Sequence, residues 1–182
     1  MALIIKRAET EDEIRAAQDL SLKIISEELK LIPNTEDFNR YNNCSVYFIA
    51  TEGEEVIGTM RLVTNNCTGK FPMEEGFQLP NFFTKQRDKT LEVSRGAIRK
   101  DKRGDNSHLI LLGLLKALYQ YAKENNYSYL CACMFPLILK TLIRAGWNFT
   151  WIGWGNSKMY GNFVIPVVLE IKDENVNFGG RK

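Results

Sequence analysis

TLEVSRGAIRKDKRGDNSHLILLGLLKALYQYAKENNYSYLCACMFPLILKTLIRAG, residues 90–146, is the stretch whose reading decides the fold. TLEVSRGAI (90–98) reads as a strand and RKDKRGDN (99–106) as a polar turn. A strongly apolar helix follows from about Ser107 to Glu124, with Ser107 or Asn106 as its cap. YSYLCACMF (127–135) is apolar without alternation, the pattern of a strand buried on both faces. Pro136 opens a second helix, LILKTLIRAG, that Gly146 stops. A strand, a helix and a strand in this order make a crossover, which packs a helix against a sheet.

Toward the N-terminus, LIIKRA (3–8) reads as a first strand. Thr10 and Glu13 have the spacing of a capping box. The apolar steps after it predict an amphipathic helix to about Lys30, ended by Pro33 and Asn34. PNTEDFNRYNNCS (33–45) is a polar loop or short helical turn, and VYFIATEG and EVIGTMRLVTNN form a hairpin across Glu52 to Glu55. The irregular stretch 67–89 carries Phe71, Phe77, Phe82 and Phe83, too aromatic to be disordered. Toward the C-terminus, residues 147–172 read as two strands around a glycine-containing turn, and 173–182 as a frayed tail. The expected fold is α/β: one domain over residues 1–172, a mixed and mostly antiparallel sheet flanked by helices.

The composition is that of a globular protein, 45% hydrophobic and 25% charged over 182 residues. A net charge of +2 supplies no broad basic field for nucleic acid. Cys44, Cys67, Cys131 and Cys133, with His108, lack the spacing of a zinc site, so no metal is expected. The cysteines read as small buried hydrophobes in a reducing compartment, with a catalytic thiol as the alternative. The opening MALIIKRAETEDE has no secretory core, and Leu109 to Leu118 is too short to span a bilayer. A cytoplasmic protein is expected.

The order of elements resembles the GNAT superfamily of acyltransferases. YFIATEGEEVIGTMRLV (47–63), LEVSRGAI (91–98) and the run from Pro136 through RAGW (144–147) to VIPVVLE (164–170) carry that resemblance. Gly58 with Arg61-Leu62, then Glu92, Ser94 and Arg95, match the acyl-homoserine-lactone synthases and N-acyl amino acid synthases, over roughly residues 46–170. The resemblance implies transfer of an acyl group, expected to be long-chain, from acyl carrier protein or CoA to the amine of an amino acid or similar acceptor. No tightly bound cofactor is implied; the phosphopantetheine thioester is the donor. Two departures matter. The turn that cradles the CoA pyrophosphate in acetyl-CoA enzymes retains only Gly104, with Asn106 and His108 at its other small positions, which fits a single carrier phosphate better. Where homoserine-lactone synthases carry tryptophan and paired aspartates, this chain has Asn39-Arg40-Tyr41-Asn42, which speaks against a sulfonium acceptor. Leu142 stands where many GNAT enzymes have a tyrosine acid.

The expected site follows. Glu92 is the candidate base, or a structural partner of Arg61 or Arg95, and alternation puts Ser94 on its face and Arg95 on the other. A β-bulge, expected at Gly96, would break that parity. Glu92, Arg95 and Ser94 form the catalytic set. Arg61 and Arg95 are the candidates to hold an acceptor carboxylate, or else structural ion-pair partners, and Phe71, Phe77 and Trp147 would wall an acyl pocket, unless they are simple core. Ile98, Arg99, Lys100, Arg103, Gly104 and Asn106 would bind the donor, and the cations from Arg95 to Arg103 could dock an acidic carrier. The rivals are a homoserine-lactone synthase, an acetyl-CoA N-acetyltransferase and a non-catalytic carrier-binding module.

Overall fold

The computed structural model describes residues 2–30, 39–64, 69–104, 107–153, 156–157 and 162–172. Pro33, Asn34, Phe38, Cys67, Asn106, Trp154 and the expected tail at 173–182 lie outside the described residues.

The capping box forms as read: Glu13 donates its N–H to Thr10 Oγ1 at 3.2 Å, and Thr10 N–H reaches Glu13 Oε2 at 3.3 Å. Lys6 also pairs with Glu13. Those hydrogen bonds, the one from Lys6 first, hold the Glu13 carboxyl down at about 2. From this start α1 runs over Glu11–Lys23 and continues as a π-helical turn, Ile24–Glu28, ending a little before Lys30. The first strand is β1 (Leu3–Arg7), and the hairpin is β2 (Ser45–Glu52) with β3 (Glu55–Val63). A short helix α2 (Asn81–Lys85) precedes β4 (Thr90–Ile98). Then come α3 (Ser107–Glu124), β5 (Tyr129–Met134) and α4 (Pro136–Arg144), closed by Gly146 at φ +91°.

The last third differs from the two strands expected. It forms β6 (Thr150–Trp151), β7 (Asn156–Ser157), β8 (Asn162–Phe163) and β9 (Ile165–Glu170). β6 pairs with β9 for two residues only, and β7 pairs with β8 apart from the main sheet. Just past β6, Gly153 packs close to β9: a Cβ there would stand 3.0 Å from Pro166 Cγ. The main sheet has seven strands in the order β1-β2-β3-β4-β5-β9-β6, and the β1–β2, β2–β3, β5–β9 and β6–β9 pairings are antiparallel.

Packing resolves two compact units, Met1–Val63 with Val93–Gln120, and Thr64–Glu92 with Tyr121–Lys182. In the first, Ala8, Ala17, Tyr47 and Ile49 form a core joined by Ile14 and Val56. Gly113 lets α3 approach β1 closely, since a Cβ there would meet Ile5 Cδ1 at 2.1 Å. In the second, Phe71, Met73, Phe83 and Cys131 cluster with Leu79, Cys133 and Ile152. Phe71 and Phe83 meet edge to face at 5.6 Å. The irregular stretch is thus held by its aromatics, and Arg87 braces it through Glu74. Among the described residues, no helix is long and apolar enough to cross a membrane.

Candidate active site

In the first unit, Tyr47 of β2 stands opposite Arg61 of β3, and Ile49 opposite Thr59, so alternation puts all four on one face. Arg61 is only 3% exposed and donates Nε–H to Ser94 Oγ at 2.9 Å. The Thr59 hydroxyl is buried with no hydrogen-bond partner among the described residues. Arg95 has φ +52°, a left-handed backbone that arginine rarely adopts. The strand irregularity expected at Gly96 therefore sits on Arg95, which breaks the parity that would have turned its side chain away from Ser94. Arg95 instead donates Nη1–H to Asn42 Oδ1 at 3.1 Å, and the Tyr47 hydroxyl donates to the same oxygen at 2.8 Å. Burial, followed by the nearby Arg61 charge, lowers the Arg95 guanidinium to about 9, against a smaller opposing pull from Tyr47.

In the second unit, Glu92 is 2% exposed and accepts the Met73 N–H at 2.9 Å. Cys131 is fully buried nearby; burial first, then the charges of Glu92, Cys133 and Glu74, hold its thiol well above its ordinary range. That removes it as a thiolate nucleophile, since only the ionised sulfur attacks. Phe71, Phe77 and Trp147 are interior side chains of this unit. Trp147 stacks on Phe149 at 6.1 Å, and Leu142 is fully buried. Cys131 and Cys133 are free thiols, but Cys44 is disulfide-bonded, which corrects the expectation of a reduced thiol there. No group of His, Cys, Asp and Glu among the described residues is arranged to hold a metal.

The turn after β4 belongs to the first unit. Arg99 pairs with Glu55 at 2.9 Å and Asp101 at 2.7 Å. Lys102 pairs with Glu52 at 2.6 Å. Arg103 pairs with Glu28 at 2.5 Å and donates Nε–H to the Ile98 carbonyl at 2.7 Å. The basic cluster read as a carrier dock is thus largely neutralised by acids from distant parts of the chain. Lys100 is exposed and has no acidic partner among the described residues. It lines a cavity of about 450 Å³ with Leu20, Lys23, Glu28, Arg99 and Asp101. Gly104 is exposed, with open space where a Cβ would stand, and its carbonyl accepts the Ser107 hydroxyl at 2.8 Å.

Sequence reasoning named Arg61, Ser94 and Arg95 but gave no part to Tyr47, Thr59 or Lys23. The pairing of β2 with β3 could have found the first two, since both lie on the face of Arg61.

The model of the family described as N-acyl amino acid synthase FeeM matches residues 26–144. The chain is similar in structure to FeeM, an N-acyl amino acid synthase from uncultured soil microbes, at 17% identity and a TM-score of 0.77, covering 97% of this chain and 95% of that one. It is also similar to the AHL synthase LasI, at 17% identity and a TM-score of 0.70, covering 96% and 92%. A GNAT-family acetyltransferase from Staphylococcus aureus Mu50 aligns at 14% identity and a TM-score of 0.60, covering 94% of this chain and all 100% of the other. No curated protein matches. The seven-stranded sheet and its helices are thus the GNAT fold.

Proposed function

The chain belongs to the N-acyl amino acid synthase FeeM family, and from that membership we propose that it joins a long-chain acyl group, carried as an acyl-carrier-protein thioester, to the amine of an amino acid. It is an N-acyltransferase, and two features of its own residues select this version of the reaction. The observation that carries the acceptor assignment is the arginine pair. The Ser94 hydroxyl accepts from Arg61, the Asn42 carboxamide accepts from Arg95, and the Arg61 charge acts on Arg95. A guanidinium fork binds a carboxylate through two parallel hydrogen bonds.

In the proposed step, Glu92 accepts a proton from the ammonium of the acceptor. The freed amine attacks the thioester carbonyl and the C–N bond forms; the C–S bond then breaks as the nitrogen's second proton passes to the departing sulfur, which leaves as the carrier thiol. Glu92 is suited to this because burial and the Met73 N–H fix its carboxylate in one position. Phe71, Phe77 and Trp147 are the proposed apolar lining for the acyl chain. On the donor side, Lys23 and Lys100 are exposed cations on a cavity whose Arg99 and Glu28 are already paired. Two ammonium groups suit the one phosphate of a carrier arm.

Side-by-side turnover with long-chain acyl-carrier protein, long-chain acyl-CoA and acetyl-CoA tests the donor. The carrier thioester should be used best, and a clear preference for acetyl-CoA would refute the proposal. The same purified enzyme should form no acyl-homoserine lactone or methylthioadenosine from S-adenosylmethionine. Their appearance would assign the chain to the synthase alternative.

A further inference from the structure

We infer that Asn42 sets the charge of the acceptor subsite: its neutral carboxamide orients Arg95 while adding no negative charge, and so favours amines that carry a free carboxylate. The inference rests on the N-acyltransferase reading above and adds to it one positioning residue and one requirement on the acceptor.

Asn42 opens a single 3-10 turn, Asn42–Cys44, directly ahead of β2. Its side chain is fixed at both ends. Nδ2 donates to Asn39 Oδ1 at 3.0 Å, while Oδ1 accepts from both Arg95 and the Tyr47 hydroxyl. This orientation of the amide is the one the contacts demand, because a guanidinium can only donate and so needs the oxygen. Arg95 in turn has a strained backbone, and a strained residue persists where its surroundings hold it in place. Asn42 and Tyr47 are that hold. Both leave the local charge unchanged, unlike a carboxylate in the same place.

Aspartate has the same shape as asparagine and could accept the same two hydrogen bonds. Asn39 could rotate its amide to donate to the second oxygen. The geometry would survive, but a negative charge would now lie about 3 Å from the Arg95 guanidinium. An incoming carboxylate would meet a nearer anion and a spent cation. The buried Thr59 hydroxyl, on the same face as Arg61, gives the subsite a polar atom whose hydrogen bond a bound ligand can complete.

The decisive substitution is Asn42→Asp, compared with Asn42→Ala and wild type. KM for the preferred amino acid should rise on the order of tenfold to a hundredfold in Asn42→Asp, with a smaller change in kcat. The alkaline limb of kcat/KM in wild type should fall near the Arg95 value of about 9, and in Asn42→Asp it should move to higher pH. Asn42→Ala should lose activity by misplacing Arg95, without that upward shift. Melting curves identify a variant that has simply failed to fold. Calorimetric titration of wild type with common amino acids and with their carboxamides needs no donor and no turnover. Free acids should bind better, and Asn42→Asp should shrink or reverse the preference. Equal binding of acids and carboxamides by wild type, or an unmoved KM and pH limb in folded Asn42→Asp, would overturn the inference. Acylation of carboxamides as readily as acids would leave the acyltransferase reading standing and remove this one. Absence of transfer from every donor would sink the reading, and the titrations would still decide the role of Asn42.

Discussion

β4 and the turn that follows it are contiguous in sequence, yet they handle charge in opposite ways. In the turn, Arg99, Lys102 and Arg103 each meet a carboxylate at 2.5–2.9 Å, at partly exposed positions. In β4 and the neighbouring β3, Arg95 and Arg61 are held through Asn42, Tyr47 and Ser94, and the Arg61 charge acts on Arg95. An exposed ion pair is worth about 0–1 kcal/mol and serves mostly to satisfy its members. Bringing two like charges out of water costs stability, and a fold keeps such an arrangement where a ligand uses it. Dense basic sequence therefore does not by itself mark which cations are left for a ligand. The sparse arginines of the strands are the better candidates.

The largest effect that could break this contrast belongs to the other charge of β4, Glu92. If Glu92 is the base, Glu92→Gln keeps an oxygen for the Met73 N–H but cannot take a proton. Single-turnover rates should fall roughly 10²–10⁴-fold, while the melting temperature changes by no more than a few degrees. Near-normal turnover would make Glu92 a structural acceptor and leave the strand with no base.

Arg95 comes next. Its depressed value means that the folded protein holds this proton less readily than the unfolded chain does. The cost of burying the charge is therefore present below about pH 9 and is relieved as pH rises through that value toward the ordinary arginine range. Arg95→Met should raise the melting temperature at neutral pH while losing acceptor binding. Arg95→Lys keeps the charge without the planar fork and should weaken acceptor binding by roughly tenfold or more. A fall in melting temperature for Arg95→Met would class Arg95 with the structural cations of the turn.

What could be read in advance was local. The strand at 90–98 and the helix at 107–124 came out at the expected residues because periodicity is strong there. Pro136 and Gly146 bracket α4 for equally local reasons. The close packing of Gly153 against Pro166 was not legible, because it joins residues far apart in sequence. Nor was the backbone of Arg95, since alternation assumes an ideal strand. The partners of the turn cations come from Glu28, Glu52 and Glu55, 44 to 75 residues away. Only the folded chain shows that these charges are already spent.

The smallest effect tests that last point. Arg103→Ala removes a guanidinium bound to Glu28 and to the Ile98 carbonyl, with its side chain 39% exposed. Exposed pairs of this kind contribute about 1 kcal/mol or less, so stability should shift by no more than that. The KM for acyl-carrier protein should change by less than about threefold, because Glu28 already offsets the Arg103 charge before the donor arrives. Lys100→Ala removes a cation with no acidic partner among the described residues and should raise that KM more, with Lys23→Ala acting in the same direction. The difference should shrink as salt is added, since exposed charges are screened beyond about 8 Å at physiological ionic strength. If Arg103→Ala instead weakened carrier binding more than Lys100→Ala, pairing with a carboxylate would no longer separate structural from functional cations within the turn.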